Sequence, residues 1–399
     1  VSGDEAERSV EEALPSLESV RIGEWPGLGG DVELTLGRRH TILVGRNGAG
    51  KSLLIEGMWL GAWAPLRSTE TERTPPRSFA CVVGAGEAKI AYRYFAEEDA
   101  SDEEVDEDSL EGDETSGDFV DESAYRWSER CWDPATDREH WRVEGARLFV
   151  AGEPPMPLAQ GVGLFGLADT PQPQPACFGP LRRVLHGVRL VPTPRGDVAR
   201  REVLVASKGT PGLRRWRRRE MGRGPRLTQV LVSRWEHAPD QFAEFREVLR
   251  ELQLAREVSV QIYKDGEAGG KEFAAVLFDG VNLGLQSDGT LRVAEILVTL
   301  LQPVSRVILI EEPETAVHPS LLARLLAVID SYSLDRQIVV STHAPQVVNW
   351  GRPEDLRLVV REDDRTVVRP LADADMKSVV QYLQDDGSLA DFVYRRQQT

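Results

Sequence analysis

Gly45-Arg46-Asn47-Gly48-Ala49-Gly50-Lys51-Ser52 sets two outer glycines, a lysine and a hydroxyl at the spacing G-x-x-x-x-G-K-[ST]. Small residues let successive backbone N–H groups turn toward one anion, and the amine and hydroxyl extend the grip. The chemistry is phosphate binding, with Lys51 reaching β- and γ-phosphates and Ser52 setting its hydroxyl on Mg²⁺. Glu311 and Glu312 form a second cluster, because adjacent carboxylates at a strand end are costly unless a cation sits there. One can serve a metal while the next, on the opposite side of the chain, polarises a water. His343, in Ser341-Thr342-His343-Ala344-Pro345, offers an imidazole that can bond a γ-phosphate oxygen and register its loss. Ser287 and Gly289 add a hydroxyl and helix-start amides, a second anion site.

These residues need elements to place them. The apolar run His40–Val44 reads as a buried strand and 53–64 as a helix, which is the strand–loop–helix context the glycine pattern requires. Residues 306–310 and 337–340 read as two more buried strands, ending at the glutamate pair and at His343. Three strand tips then present Lys51, Glu311-Glu312 and His343 at one sheet edge, where α/β sheets bind ligands. Ser287 and Gly289 precede a helix over 293–302.

Elsewhere, 19–25 and 31–36 alternate as a hairpin, and 79–83 and 88–95 read as strands. Residues 241–257 carry the apolar spacing of an amphipathic helix, followed by strands at 258–263 and 273–278. Between 125 and 225 the chain is rich in Pro and Gly, and only 146–150, 186–191 and 203–206 read as strands. Gly161 to Gly166 fits G-x-G-x-x-G, but it follows Pro154, Pro155 and Pro157 rather than a strand, so the match is read as accidental.

A net charge of −17 describes no part of the chain well. Residues 97–124 hold fifteen acids and no Lys or Arg, so the remainder is nearly neutral. That tract is read as a solvated surface loop, with a DNA mimic or a plug folding onto Arg214–Arg226 as the alternative. The seven arginines of 214–226 read either as a DNA contact or as a solvated helix or partner for the acidic tract. Cys81, Cys131 and Cys177 are far apart in sequence and form no C-x-x-C pair, which suits a reducing compartment. No run of about 18 apolar residues is present, and the first twenty residues do not resemble a leader. The expectation is a cytoplasmic protein with no membrane partner.

The order glycine loop, S-D-G-T-x-R, E-E-P-E-x-x-x-H-P and S-T-H-x-P resembles the ATP-binding-cassette ATPases of the SMC/RecF branch. It looks most like the AAA-type ATPase domain of OLD-family nucleases and of anti-phage systems such as the Septu ATPase. The resemblance covers about 15–95 and 258–360. It implies an α/β fold, an ABC-type P-loop ATPase head with a mixed sheet and flanking helices, split by an irregular insertion. The divisions expected are 15–95 and 258–399 for the two halves of the head, 96–124 for an acidic insertion and 125–257 for an inserted lid region.

The resemblance further implies ATP and Mg²⁺ as cofactors and a homodimer, or a higher oligomer, with ATP sandwiched between copies. Arg46, Asn47, Gly48, Ala49, Gly50, Lys51 and Ser52 of one copy would face Ser287 and Gly289 of the other. Glu311 takes the Mg²⁺ position with Ser52, Glu312 the general base, and His343 the switch histidine; Gln160 is a further position for the glutamine that links metal to lobe motion. Glu311 stands where most such cassettes have Asp, which bears on turnover, and S-D-G replaces the S-G-G of transporters. OLD nucleases carry a catalytic domain after the ATPase, whereas about forty residues follow Pro353, so a separately encoded effector is expected. A switch in anti-phage defence is therefore the first functional expectation. A DNA-repair or chromosome-handling ATPase is the alternative, and an ATP-holding module without turnover the third.

Overall fold

The computed structural model describes residues 14–64, 75–98, 125–144, 147–150, 152–157, 177–193, 205–206, 227–264 and 272–370. The acidic tract beyond residue 98, the arginine run 214–226, Gln160 and the Gly161–Gly166 stretch lie outside them.

The site rests on a six-stranded sheet. Its order is β10 (Val188–Val191), β15 (Val307–Glu311), β16 (Gln337–Thr342), β3 (His40–Val44), β17 (Leu356–Glu362) and β18 (Arg365–Pro370). The first five run parallel and only β18 is antiparallel. Every residue of β3, β15 and β16 is buried, as expected for parallel strands covered on both faces. Alternation within them sorts side chains between two cores. Leu43, Val307, Leu309 and Val339 face one core, and Ile308, Ile310, Ile338 and Val340 face the other.

The first core is closed by α1 (Lys51–Trp63), α2 (Phe178–His186) and an eight-stranded antiparallel sheet. That sheet has the order β2 (Val32–Thr35), β1 (Ser16–Gly23), β4 (Ser78–Ala85), β5 (Ala88–Glu98), β6 (Tyr125–Trp132), β7 (Glu139–Glu144), β8 (Arg147–Val150) and β9 (Met156–Pro157). The second core is filled by α3 (Leu227–His237), α4 (Pro239–Glu251), α5 (Asp288–Leu300) and α6 (Pro319–Tyr332). Beside them lies a small sheet of β11 (Val205–Ala206), β13 (Glu272–Phe278) and β12 (Val258–Lys264), with β14 (Val281–Asn282) on β13. A short helix α7 (Pro345–Trp350) follows β16.

The α/β class with mixed strands and flanking helices is therefore present, but the division of the chain is different from that expected. The N-terminal sheet does not close at residue 95: β5 pairs with β6 along Ala91↔Trp132 to Glu98↔Tyr125. Residues 125–257 are likewise no separate lid, because β10 is a strand of the parallel sheet and α3 and α4 pack on α5. The expected strand 186–191 starts only at Val188; His186 ends α2, and Gly187 makes the turn between them. The helix expected over 241–257 starts at Pro239 and gives way after Glu251, where Gln253 takes a left-handed φ of 59°. Cys131 and Cys177, distant in sequence, are buried free thiols with their sulfurs 3.7 Å apart. Among the described residues no helix is long and apolar enough to cross a membrane.

Candidate functional site

β15, β16 and β3 are consecutive neighbours, and their C-terminal ends are in register: Glu311 pairs with Ser341, and Thr342 with Val44. The glycine loop, the glutamate pair and His343 therefore leave one edge of one sheet side by side.

The loop turns on Gly48 and Gly50, with φ of 79° and 101°, values that L side chains rarely adopt. A Cβ on Gly50 would lie 2.4 Å from Thr366 Oγ1, so β18 fixes how the loop lies, and Thr366 also donates to Ala49 O at 3.1 Å. Arg46, Asn47 and Gly48 are exposed and Ala49 is buried. Helix α1 begins without a side-chain cap and without an acid in its first turn, so its positive end is not neutralised from within. Lys51 is only 6% exposed and donates to the carbonyls of Gly45 at 2.7 Å and Arg46 at 3.1 Å. Burial pushes its ammonium below the ordinary lysine value, against the opposing pull of Glu312 and Glu314. A desolvated cation beside uncapped helix amides fits a polyphosphate.

Glu311 is 4% exposed, and its Oε2 accepts from the Thr193 N–H at 2.8 Å, at the end of neighbouring β10. Glu312 has φ of 42°, a left-handed conformation that costs a non-glycine residue about 1–2 kcal/mol. It is held there by Glu312 N–H to Ser341 O at 2.8 Å and Thr315 N–H to Glu312 O at 3.0 Å. Strain of this kind clusters at functional sites. The Glu312 carboxylate receives the Thr315 hydroxyl at 3.3 Å and lies 3.4 Å from His343 Nδ1. Glu314 is the next acid: its Oε1 accepts from Thr342 Oγ1 at 2.6 Å and from His343 N–H at 3.1 Å, and is 3.7 Å from His343 Nδ1.

Ser287 and Gly289 stand at the start of α5. Ser287 Oγ accepts from Thr290 N–H at 3.2 Å, so the hydroxyl caps its own helix. Gly289 sits so close to the turn after Glu312 that a Cβ would meet Ala316 O at 2.4 Å. Further along this helix, Arg292 has no exposed surface and donates to Pro192 O at 2.6 Å and to Glu311 O. Burial lowers its pKa, opposed by Glu295, Glu311 and Glu314.

The structure thus brings together Lys51, Glu311, Glu312 and His343, and ties the Ser287 helix to the same strand ends through Arg292. Sequence reasoning missed Glu314, Thr193 and Thr366 and gave Arg292 no role. Glu314, the third acid of E-E-P-E, and Arg292, the arginine of S-D-G-T-x-R, carried a signal, and the other two did not. Among the described residues there is no group of three or more His, Cys, Asp or Glu able to hold a metal. Ser52 and Glu311 suit Mg²⁺, which takes few protein ligands and completes its shell with phosphate and water.

Residues 217–349 match the family described as "AAA domain, putative AbiEii toxin, Type IV TA system". The span is about a third of the chain; it holds Ser287, Glu311, Glu312 and His343 and leaves out the glycine loop. No curated protein matches the chain. Among solved structures, the chain is similar to an Smc head bound to the C-winged helix domain of ScpA, at 14% identity over 91% of this chain and 99% of that one, with a TM-score of 0.46. A Pyrococcus furiosus Smc head domain with an extended coiled coil, bound to the C-terminal domain of ScpA, gives 13%, 93%, 100% and 0.44. The SMC head domain from Thermotoga maritima gives 13%, 90%, 99% and 0.38. At these TM-scores neither fold nor function is transferred.

Proposed function

We propose that this chain is an ATP-binding and ATP-hydrolysing switch whose site is completed by a second copy. One observation carries this: three adjacent parallel strands deliver the glycine loop, Glu311-Glu312 and His343 to a single edge. Lys51 and the uncapped amides of α1 bind the phosphates. Glu312, held in its strained turn, takes the proton of the attacking water. His343, beside Glu312, meets the γ-phosphate and registers its loss. Ser52 and Glu311 would hold Mg²⁺, which supplies charge neutralisation between the phosphates. Ser287 and Gly289 of one copy close over the nucleotide on the other.

We further propose a place in anti-phage defence with a separate nuclease or toxin as effector; the family description that matches 217–349 names a putative toxin and a Type IV TA system. Phosphate release from ATP by the wild type and Glu312→Gln tests the enzymatic part. Loss of a general base predicts a fall of about 100-fold or more; equal rates would remove Glu312 from catalysis.

A further inference from the structure

Glu314 has no part in the reaction outlined above, yet it sits at the centre of the site's hydrogen bonds. Its carboxylate is 11% exposed and crosses from the turn after β15 to the tip of β16. One oxygen, Oε1, takes both the Thr342 hydroxyl and the His343 N–H. The Thr342 hydroxyl oxygen in turn accepts from Ala344 N–H at 2.9 Å, so this single carboxylate organises the whole Thr342–Ala344 turn. The other oxygen, Oε2, is buried without a hydrogen-bond partner among the described residues. A buried carboxylate with one oxygen unbonded costs stability. A residue kept in such a position against stability is expected to be there for the site.

The imidazole supplies the second observation. Its Nδ1 lies 3.4 Å from Glu312 Oε1 and 3.7 Å from Glu314 Oε1. At these distances the contacts are electrostatic rather than close hydrogen bonds; a lone pair on Nδ1 would face two carboxylate oxygens, whereas a proton there is attracted to both, so the second arrangement is the favourable one. Any bond to the γ-phosphate or to the attacking water then falls to Nε2.

We infer that Glu314 is a positioning residue that holds the tip of β16 against the turn after β15 and, with Glu312, fixes the proton of His343 on Nδ1. The inference rests on the ATPase site proposed above, and it concerns how His343 is presented rather than whether ATP is cleaved.

Two measurements on the full chain test it. Long-range ¹H–¹⁵N correlation of ¹⁵N-histidine-labelled protein resolves six rings, with His343 assigned by its absence in His343→Gln. In its neutral form the wild-type ring should show the Nδ1–H tautomer. A dominant Nε2–H tautomer would overturn the inference whether or not the protein hydrolyses ATP. In kinetics, Glu314→Gln should lower kcat about 10-fold while KM stays within about 2-fold, with folding stability not reduced, an effect expressed through transition-state geometry. In the His343→Gln background the same change should cost no more than about 2-fold, because the two residues act as one unit. Full additivity, or an unchanged kcat, would overturn it. Should Glu312→Gln hydrolyse ATP as fast as wild type, the wider assignment of the site fails instead, and the tautomer still decides the role of Glu314.

Discussion

Arg292, without exposed surface, donates to the backbone carbonyl of Glu311 and so ties the helix that starts beside Ser287 to the end of β15. The same guanidinium holds Pro192 O, so three elements meet on one side chain. Arg292→Ala would leave two carbonyls without this donor. It should lower unfolding free energy by about 2–4 kcal/mol. Arg292→Lys keeps the charge but loses the fork, and should fall between. Urea titration reads both; two variants within about 0.5 kcal/mol of wild type would show that the tie contributes nothing.

Lys51 gives a pH dependence with a definite sign. Its folded pKa is lowered from the ordinary 10.5, chiefly by burial. Between that lowered value and 10.5 the unfolded chain binds more protons than the folded one, so stability contributed by this group rises with pH across the window. Below the window the desolvation penalty is present in full. Lys51→Met should flatten this alkaline rise in urea titrations and weaken binding of a non-hydrolysable ATP analogue by about 100-fold, roughly 2.7 kcal/mol. An unchanged slope would place its origin at another group.

Gly289 is confined by space rather than by φ. A Cβ there would lie 2.4 Å from Ala316 O, which is backbone and cannot swing aside. Gly289→Ala should therefore push the start of α5 away from the turn after Glu312, lowering stability by about 1–3 kcal/mol. Ser287→Ala removes only the cap on Thr290 and should cost about 1 kcal/mol. Thermal or urea unfolding reads both; a Gly289→Ala protein as stable as wild type would mean the close contact relaxes at no cost.

The parts of the site legible in sequence are those whose neighbours are local. β3, β15 and β16 are continuous buried runs, and the loop and glutamates follow them directly, so pattern and structure agree. What sequence could not show is chemistry across strands. Glu129 on β6 breaks the apolar alternation of a buried face, yet it is 3% exposed because the Tyr92 hydroxyl donates to it at 3.1 Å. Gly179 and Pro180 argue against a helix, but both fall in the first turn of α2, where they are tolerated. The amide of Thr193 on Glu311 joins residues 118 positions apart, and nothing in either neighbourhood announces it. Glu314 was visible as an acid; its bond to Thr342 was not.

Nucleotide is proposed to close two copies of the chain around a shared site. Light scattering after size-exclusion chromatography of Glu312→Gln with saturating ATP tests it most directly. A species of twice the monomer mass is predicted, absent when Lys51→Ala is added and absent when Ser287→Arg places a bulky cation at the start of α5. Ser287→Ala should retain it. A Glu312→Gln protein that binds ATP yet stays monomeric would contradict the account.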